Sequence, residues 1–233
     1  MTPPTQSSAR RPGAEPSTDR PPLDPEQARA AARRLVDRLG STFAQDAGID
    51  LADEPAPLWQ LLVLVQLLAA RIPSATAVRA AREVFAAGWT TPQALRESTW
   101  RRRVDVLGRG GYRRYDFSTA TRLEDNARVV VERWGGDLRA LRAEASGDPA
   151  AIAAALRELD GIGPTAAAIF LREVQGVWSL PPQADPLVVK GAQVAGLPTA
   201  ATDLADLVDA ADLPRLCAAL VRVARRPALL DEP

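Results

Sequence analysis

The 233-residue chain contains no histidine, a single cysteine (Cys217) and a single lysine (Lys190). One thiol cannot assemble a four-cysteine iron–sulfur cluster or an intrachain disulfide, and a zinc site would lack its usual nitrogen and sulfur ligands. The composition therefore predicts no metal and no cofactor. A histidine general base and any histidine-containing triad are excluded as well, which leaves carboxylates, tyrosine, Lys190 or water for acid–base work. Charge of one sign is also missing: 29 basic and 29 acidic residues sum to zero, so affinity for a polyanion would have to come from local clusters. The longest apolar run, Leu58 to Ala70, is interrupted by Gln60 and Gln66 and falls short of the ~20 residues that cross a bilayer. It reads as a buried core helix, and no membrane association is expected. No charged, apolar and small-residue succession marks a secretory signal, so a cytoplasmic location is expected.

Residues 1–22 carry Pro3, Pro4, Pro12, Pro16, Pro21 and Pro22 among Ser, Thr and Arg, with little apolar surface to bury, and are expected to form a disordered tail. Asp24-Pro25-Glu26-Gln27 then has the form of a helix start, with Asp as N-cap and Pro at the first helical position, and Gly40 is placed to end that helix. Beyond Pro57, helical patterns recur between short breaks at Pro73, Gly88, Pro92, Gly108 to Gly111, Gly135-Gly136 and Gly147-Asp148-Pro149. Alternation of period two is absent, while Ala, Leu, Arg and Glu dominate. The expectation is one all-α domain over residues 23–233, built of ten or so short helices.

One connection stands apart. Asp148-Pro149 caps a helix through Leu159, and Thr165 to Val174 has the apolar spacing of another. The segment 159–166 between and into them is Leu159-Asp160-Gly161-Ile162-Gly163-Pro164-Thr165-Ala166. A turn this tight uses glycine for positive φ and close backbone approach, and the following helix offers free N–H groups at its positive end, where a phosphate can sit. A bare Gly-x-Gly is equally an ordinary connection between helices. Leu159, Ile162 and the small run Ala166-Ala167-Ala168 sharpen the first reading.

With these residues, and with Asp185 lying 20 positions beyond Thr165, the sequence resembles the helix-hairpin-helix (HhH-GPD) DNA glycosylase superfamily, endonuclease III and 3-methyladenine DNA glycosylase among its members. The resemblance extends loosely from Leu58 to about Leu197. It implies a two-lobed helical domain with a DNA-binding cleft, here without the iron–sulfur cluster. It also implies that Gly161, Ile162, Gly163 and Thr165 grip the backbone of double-stranded DNA, and that Arg71 lies in the loop entering the minor groove. Asp185 would be the catalytic carboxylate, stabilising an oxocarbenium-like sugar as the N-glycosidic bond to a flipped, damaged base breaks. Thr165 stands where bifunctional members carry lysine and cannot form a Schiff base, so the implied activity is a monofunctional glycosylase of base excision repair. Such a protein would act as a nucleoid-associated monomer. Two alternatives remain open: Asp185-Pro186 is only a helix cap, and the chain is a non-catalytic module that binds damaged or bent DNA.

Between Trp100 and Tyr115 six arginines, Arg101, Arg102, Arg103, Arg109, Arg113 and Arg114, face a single acid, Asp105, with Tyr112 and glycines interleaved. Arg109 and Arg113 are candidates for phosphate contact. The five tryptophans, Trp59, Trp89, Trp100, Trp134 and Trp178, are expected in the core or at helix ends, and Cys217 among leucines is expected to be buried and inert.

Overall fold

The computed structural model describes residues 20–232. The expected disordered tail therefore lies outside the described residues up to position 19, and Arg20 to Pro22 form no regular element. Every regular element among the described residues is helical, with thirteen α-helices and two short 3-10 segments, as the all-α expectation required. The number exceeds ten because segments such as 43–46, 92–96 and 201–205 are too short to display a helical period.

Helix α1 (Pro25–Leu39) starts where its local chemistry dictates: the Asp24 carboxylate accepts from Gln27 N at 2.9 Å, Pro25 occupies the first turn and Gly40 closes the end. Helix α2 (Phe43–Asp46) follows. In α3 (Pro55–Leu68) every residue from Leu58 to Leu68 except Gln60 is buried. A helix apolar on all sides must be surrounded. Its neighbours are α4 (Ser74–Ala86), α8 (Leu138–Glu144) and α10 (Pro164–Val174), with α5 (Pro92–Arg96), α6 (Trp100–Arg109), α7 (Asp116–Trp134) and α9 (Pro149–Leu156) completing the group. A second group joins α1 to α11 (Pro186–Ala195) and α13 (Leu213–Arg225), with α12 (Ala201–Ala205) before α13. Contacts between α10 and α13 tie the two groups together, so α10 runs from the hairpin to the seam. No helix among the described residues is long and apolar enough to cross a membrane.

The crossing of α11 over α13 depends on Gly191. A Cβ there would lie 2.0 Å from the Leu220 carbonyl oxygen, inside any permissible contact. Gly191→Ala must push the two helices apart, and a loss of about 1–3 kcal/mol or more is expected from overpacking. A urea titration read by circular dichroism should show a lower midpoint at unchanged slope.

Candidate nucleic-acid interface

The hairpin is held from inside and open outside. Leu159 and Ile162 are buried, while Gly161, Gly163, Pro164 and Thr165 are exposed. Asn126 on α7, itself buried, locks the turn: its Oδ1 accepts from Asp160 N at 2.8 Å and its Nδ2 donates to Asp160 O at 2.9 Å. The same Nδ2 donates to Gln66 Oε1 on α3 at 3.2 Å. Sequence reasoning missed this clamp, for nothing local marks an asparagine 34 positions before the turn.

The two glycines differ. Gly161 has φ +76°, the left-handed region that favours glycine, whereas Gly163 is extended (φ −86°, ψ −175°) with nothing within 4 Å of a built Cβ. The expectation that both are needed for positive φ is corrected at Gly163, where no contact among the described residues requires the missing side chain. Gly163 is the N-cap of α10, no side chain caps that end, and Pro164 supplies no N–H. The remaining first-turn N–H groups are left to an outside acceptor.

Arg71 and Arg122 flank the hairpin, lining with Gly161, Tyr112, Tyr115 and Gln66 a cavity of about 250 Å³. Arg71 is exposed, and Arg122 forms an ion pair with Asp160 at 3.4 Å. Arg113, also exposed, lies in the loop between the two tyrosines. Arg109 is drawn elsewhere, to Glu83 on α4 at 3.1 Å. The arginine patch is smaller than the sequence suggests, because Arg103 is buried: it donates to Ala120 O at 3.0 Å and Ser98 O at 2.8 Å and forms an ion pair with Glu124. Four tryptophans are buried in the core, and Trp100, at the start of α6, takes the other expected place, a helix end. It lies 44% exposed against Phe117, with ring centroids 5.5 Å apart.

Asp185 is the N-cap of α11, and both of its oxygens are engaged. Oδ1 accepts from Leu187 N at 2.8 Å and Val188 N at 3.1 Å, and Oδ2 meets the guanidinium of Arg172. The side chains of Arg172 and Asp185 are 1% and 8% exposed, so this pair is largely withdrawn from water. Glu173 lies beside it, with Oε1 3.5 Å from Arg172 Nη2 and Oε2 accepting from Ala44 N at 3.0 Å. Burial pushes the Glu173 carboxyl above the usual carboxylate range, partly countered by Arg172. The one signal in the sequence for this centre is the charged pair Arg172-Glu173 within the apolar run from Ala166 to Val174. Asp185 does not line the hairpin cavity, nor a larger one of about 780 Å³ bordered by Glu173, Gln175 and Arg215. Lys190 is exposed on α11.

Cys217 is buried, its thiol facing Gln183 O at 3.6 Å, and burial raises it from 9.0 to about 12. The folded thiol keeps its proton at neutral pH, so a disulfide reagent should modify it only at the rate of unfolding. Since the folded value is the higher one, the associated stability is present below pH about 9 and is lost as pH rises toward about 12. Urea midpoints across that window should fall.

No protein-family model matches the chain, and no curated protein matches it. Among solved structures, the chain is similar to that of a trapped endonuclease III–DNA covalent intermediate in an estranged-adenine complex, at 13% identity and a TM-score of 0.47, over 86% of each chain.

Proposed function

We propose that this chain binds double-stranded DNA by seating a backbone phosphate on the hairpin between α9 and α10. The observation that carries this reading is Gly163: an exposed glycine in ordinary extended conformation, at the uncapped start of α10, with no contact among the described residues that requires it. A missing side chain there makes room for something outside. The free N–H groups and the helix dipole favour an anion, and the Asn126 clamp fixes the turn before a ligand arrives. Such a contact positions a duplex without reading sequence, and Arg71, Arg113 and Arg122 are placed to reach neighbouring phosphates. The resemblance of segment 159–166 to the helix-hairpin-helix superfamily supports the same role. The proposal further takes the chain to act as a monomer associated with the nucleoid in the cytoplasm, with no cofactor.

The second reading, release of a damaged base by Asp185, draws support from the two N–H groups that fix that carboxylate in place. Against it stands Arg172, which already neutralises the charge an oxocarbenium-like sugar would require. Binding without base release is therefore the favoured function. The full-length protein should bind a short labelled duplex with an affinity that falls linearly in log salt, by about 0.9 per phosphate neutralised. Incubation with duplexes carrying alkylated, deaminated and oxidised bases, followed by alkali, should produce no strand breaks above background. Breaks that appear only after alkali and disappear in Asp185→Asn would establish the glycosylase reading, and the absence of an amine at Thr165 then predicts little borohydride trapping. Lack of duplex binding at low salt would refute both.

A further inference from the structure

Among the described residues, the exposed large hydrophobic side chains are two, and they lie together: Trp100 at the start of α6 and Phe117 in the first turn of α7. Single exposed apolar residues are common on any protein, but two aromatic rings with centroids 5.5 Å apart form one patch. The patch is held in place, since Trp100 Nε1 donates to Thr121 Oγ1 at 3.1 Å, one turn along α7 from Phe117. The rings are tilted by 44° and do not cover one another, so 62% of Phe117 stays accessible. The chain around them is cationic. Of the six arginines between Trp100 and Phe117, Arg103 pairs with Glu124 and Arg109 with Glu83. Arg101, Arg102, Arg113 and Arg114, all exposed, are left without a carboxylate partner among the described residues. The acids in the same stretch are Asp105 and Asp116. Asp105 stands roughly 140° around α6 from Trp100, and Asp116 Oδ1 accepts from Phe117 N at 2.9 Å.

We propose that Trp100 and Phe117 form a stacking platform for a single-stranded nucleic acid, with bases lying on the exposed ring faces and the neighbouring arginines meeting the phosphates. A base inside a duplex has both faces covered by its neighbours, so only an unpaired stretch can offer a face to these rings. A protein partner seated on the same patch would instead have to desolvate the unpaired guanidiniums around it, which is costly. The charge therefore favours a polyanion over an apolar protein surface. The shared chemistry, a flexible strand of bases and phosphates, has two sources, DNA and RNA. The platform goes beyond the hairpin grip on duplex DNA and includes no residue of the hairpin, so either can fail without the other.

The test uses the full-length protein and labelled single strands of thymidine or uridine about ten nucleotides long. Binding should weaken with salt and should quench part of the tryptophan emission, because Trp100 is the exposed one of the five tryptophans. Phe117→Ala and Trp100→Ala should each lower the affinity about tenfold. Phe117 is the more exposed of the two, so a Trp100→Ala protein that fails to fold leaves the test standing. Phe117→Leu keeps apolar surface and removes the ring, and it should lose as much as Phe117→Ala. Gly163→Asp should leave strand affinity within about twofold, which separates this site from the hairpin. The strand that binds more tightly, thymidine or uridine, identifies the source. A wild-type protein that binds neither strand overturns the proposal, and so does unchanged affinity in folded Phe117→Ala. Affinity retained in Phe117→Leu overturns it too, since apolar contact without stacking would then suffice. Self-association that Phe117→Ala abolishes, with no strand bound, would assign the patch to a second copy of the chain instead.

Discussion

Gly163→Asp is expected to leave the fold intact and to reduce duplex affinity by about 10–100-fold. The backbone at Gly163 already has the extended conformation of an ordinary N-cap, and a Cβ meets nothing within 4 Å. Aspartate is among the best N-caps and places a negative charge beside the positive end of α10, so stability should stay level or rise by a few tenths of a kcal/mol up to about 1 kcal/mol. For a phosphate the same change is doubly unfavourable. The new carboxylate takes the N–H groups that the phosphate would use, and it repels what remains; charge-assisted bonds of this kind contribute about 1.5–3 kcal/mol. Fluorescence anisotropy with a labelled duplex measures the affinity, and a urea titration the stability. Unchanged affinity in a folded Gly163→Asp protein would remove the phosphate from the hairpin. Gly161→Ala is the contrasting control, since φ +76° costs a side chain about 1–2 kcal/mol and any loss of binding would be mixed with strain.

The second large effect is on stability. Asp185→Ala removes the cap of α11, worth about 1 kcal/mol, and leaves the Arg172 guanidinium buried with only Glu173 nearby at 3.5 Å. Breaking one half of a buried pair costs about 3–5 kcal/mol, much of the stability of a typical domain. Arg172→Met should be milder, because Asp185 keeps its two backbone N–H partners and Glu173, already pushed toward its protonated form, can become neutral. The double variant Arg172→Met/Asp185→Asn restores the cap through Asn and buries no charge at the pair, and it should regain most of what Asp185→Ala loses. Denaturation midpoints of wild type, Arg172→Met, Asp185→Asn and the double variant close a cycle and measure the coupling. An Asp185→Ala protein within about 0.5 kcal/mol of wild type would show that the pair is not a structural centre. This also fixes how base release should be assayed: Asp185→Asn, which keeps the cap, separates lost chemistry from lost folding better than Asp185→Ala.

The all-helical fold was legible in the sequence because its cues are local. Asp24, Asp148 and Asp185 each precede a proline and each accept backbone N–H groups two or three positions on, an interaction complete within one turn of chain. The burial of α3 followed from a run too apolar to face water, and the hairpin from two glycines framed by Leu159 and Ile162. Burial of Cys217 among leucines was legible for the same reason. Residues whose partners come from other helices were not. Arg103 reads as part of a surface patch until Ala120 and Glu124 on α7 enclose it, and Arg172 acquires its role only when α11 brings Asp185 against α10. The sequence puts Trp100 in the core or at a helix end, and only the packing beside Phe117 decides for the exposed helix start. The link from Gln66 through Asn126 to Asp160 joins three elements, with 60 and 34 positions of chain between the partners. Caps and periodicity act over a few residues, so composition and spacing determine them; burial of a charge or an amide depends on which helix supplies the opposing surface, and only the tertiary arrangement decides that.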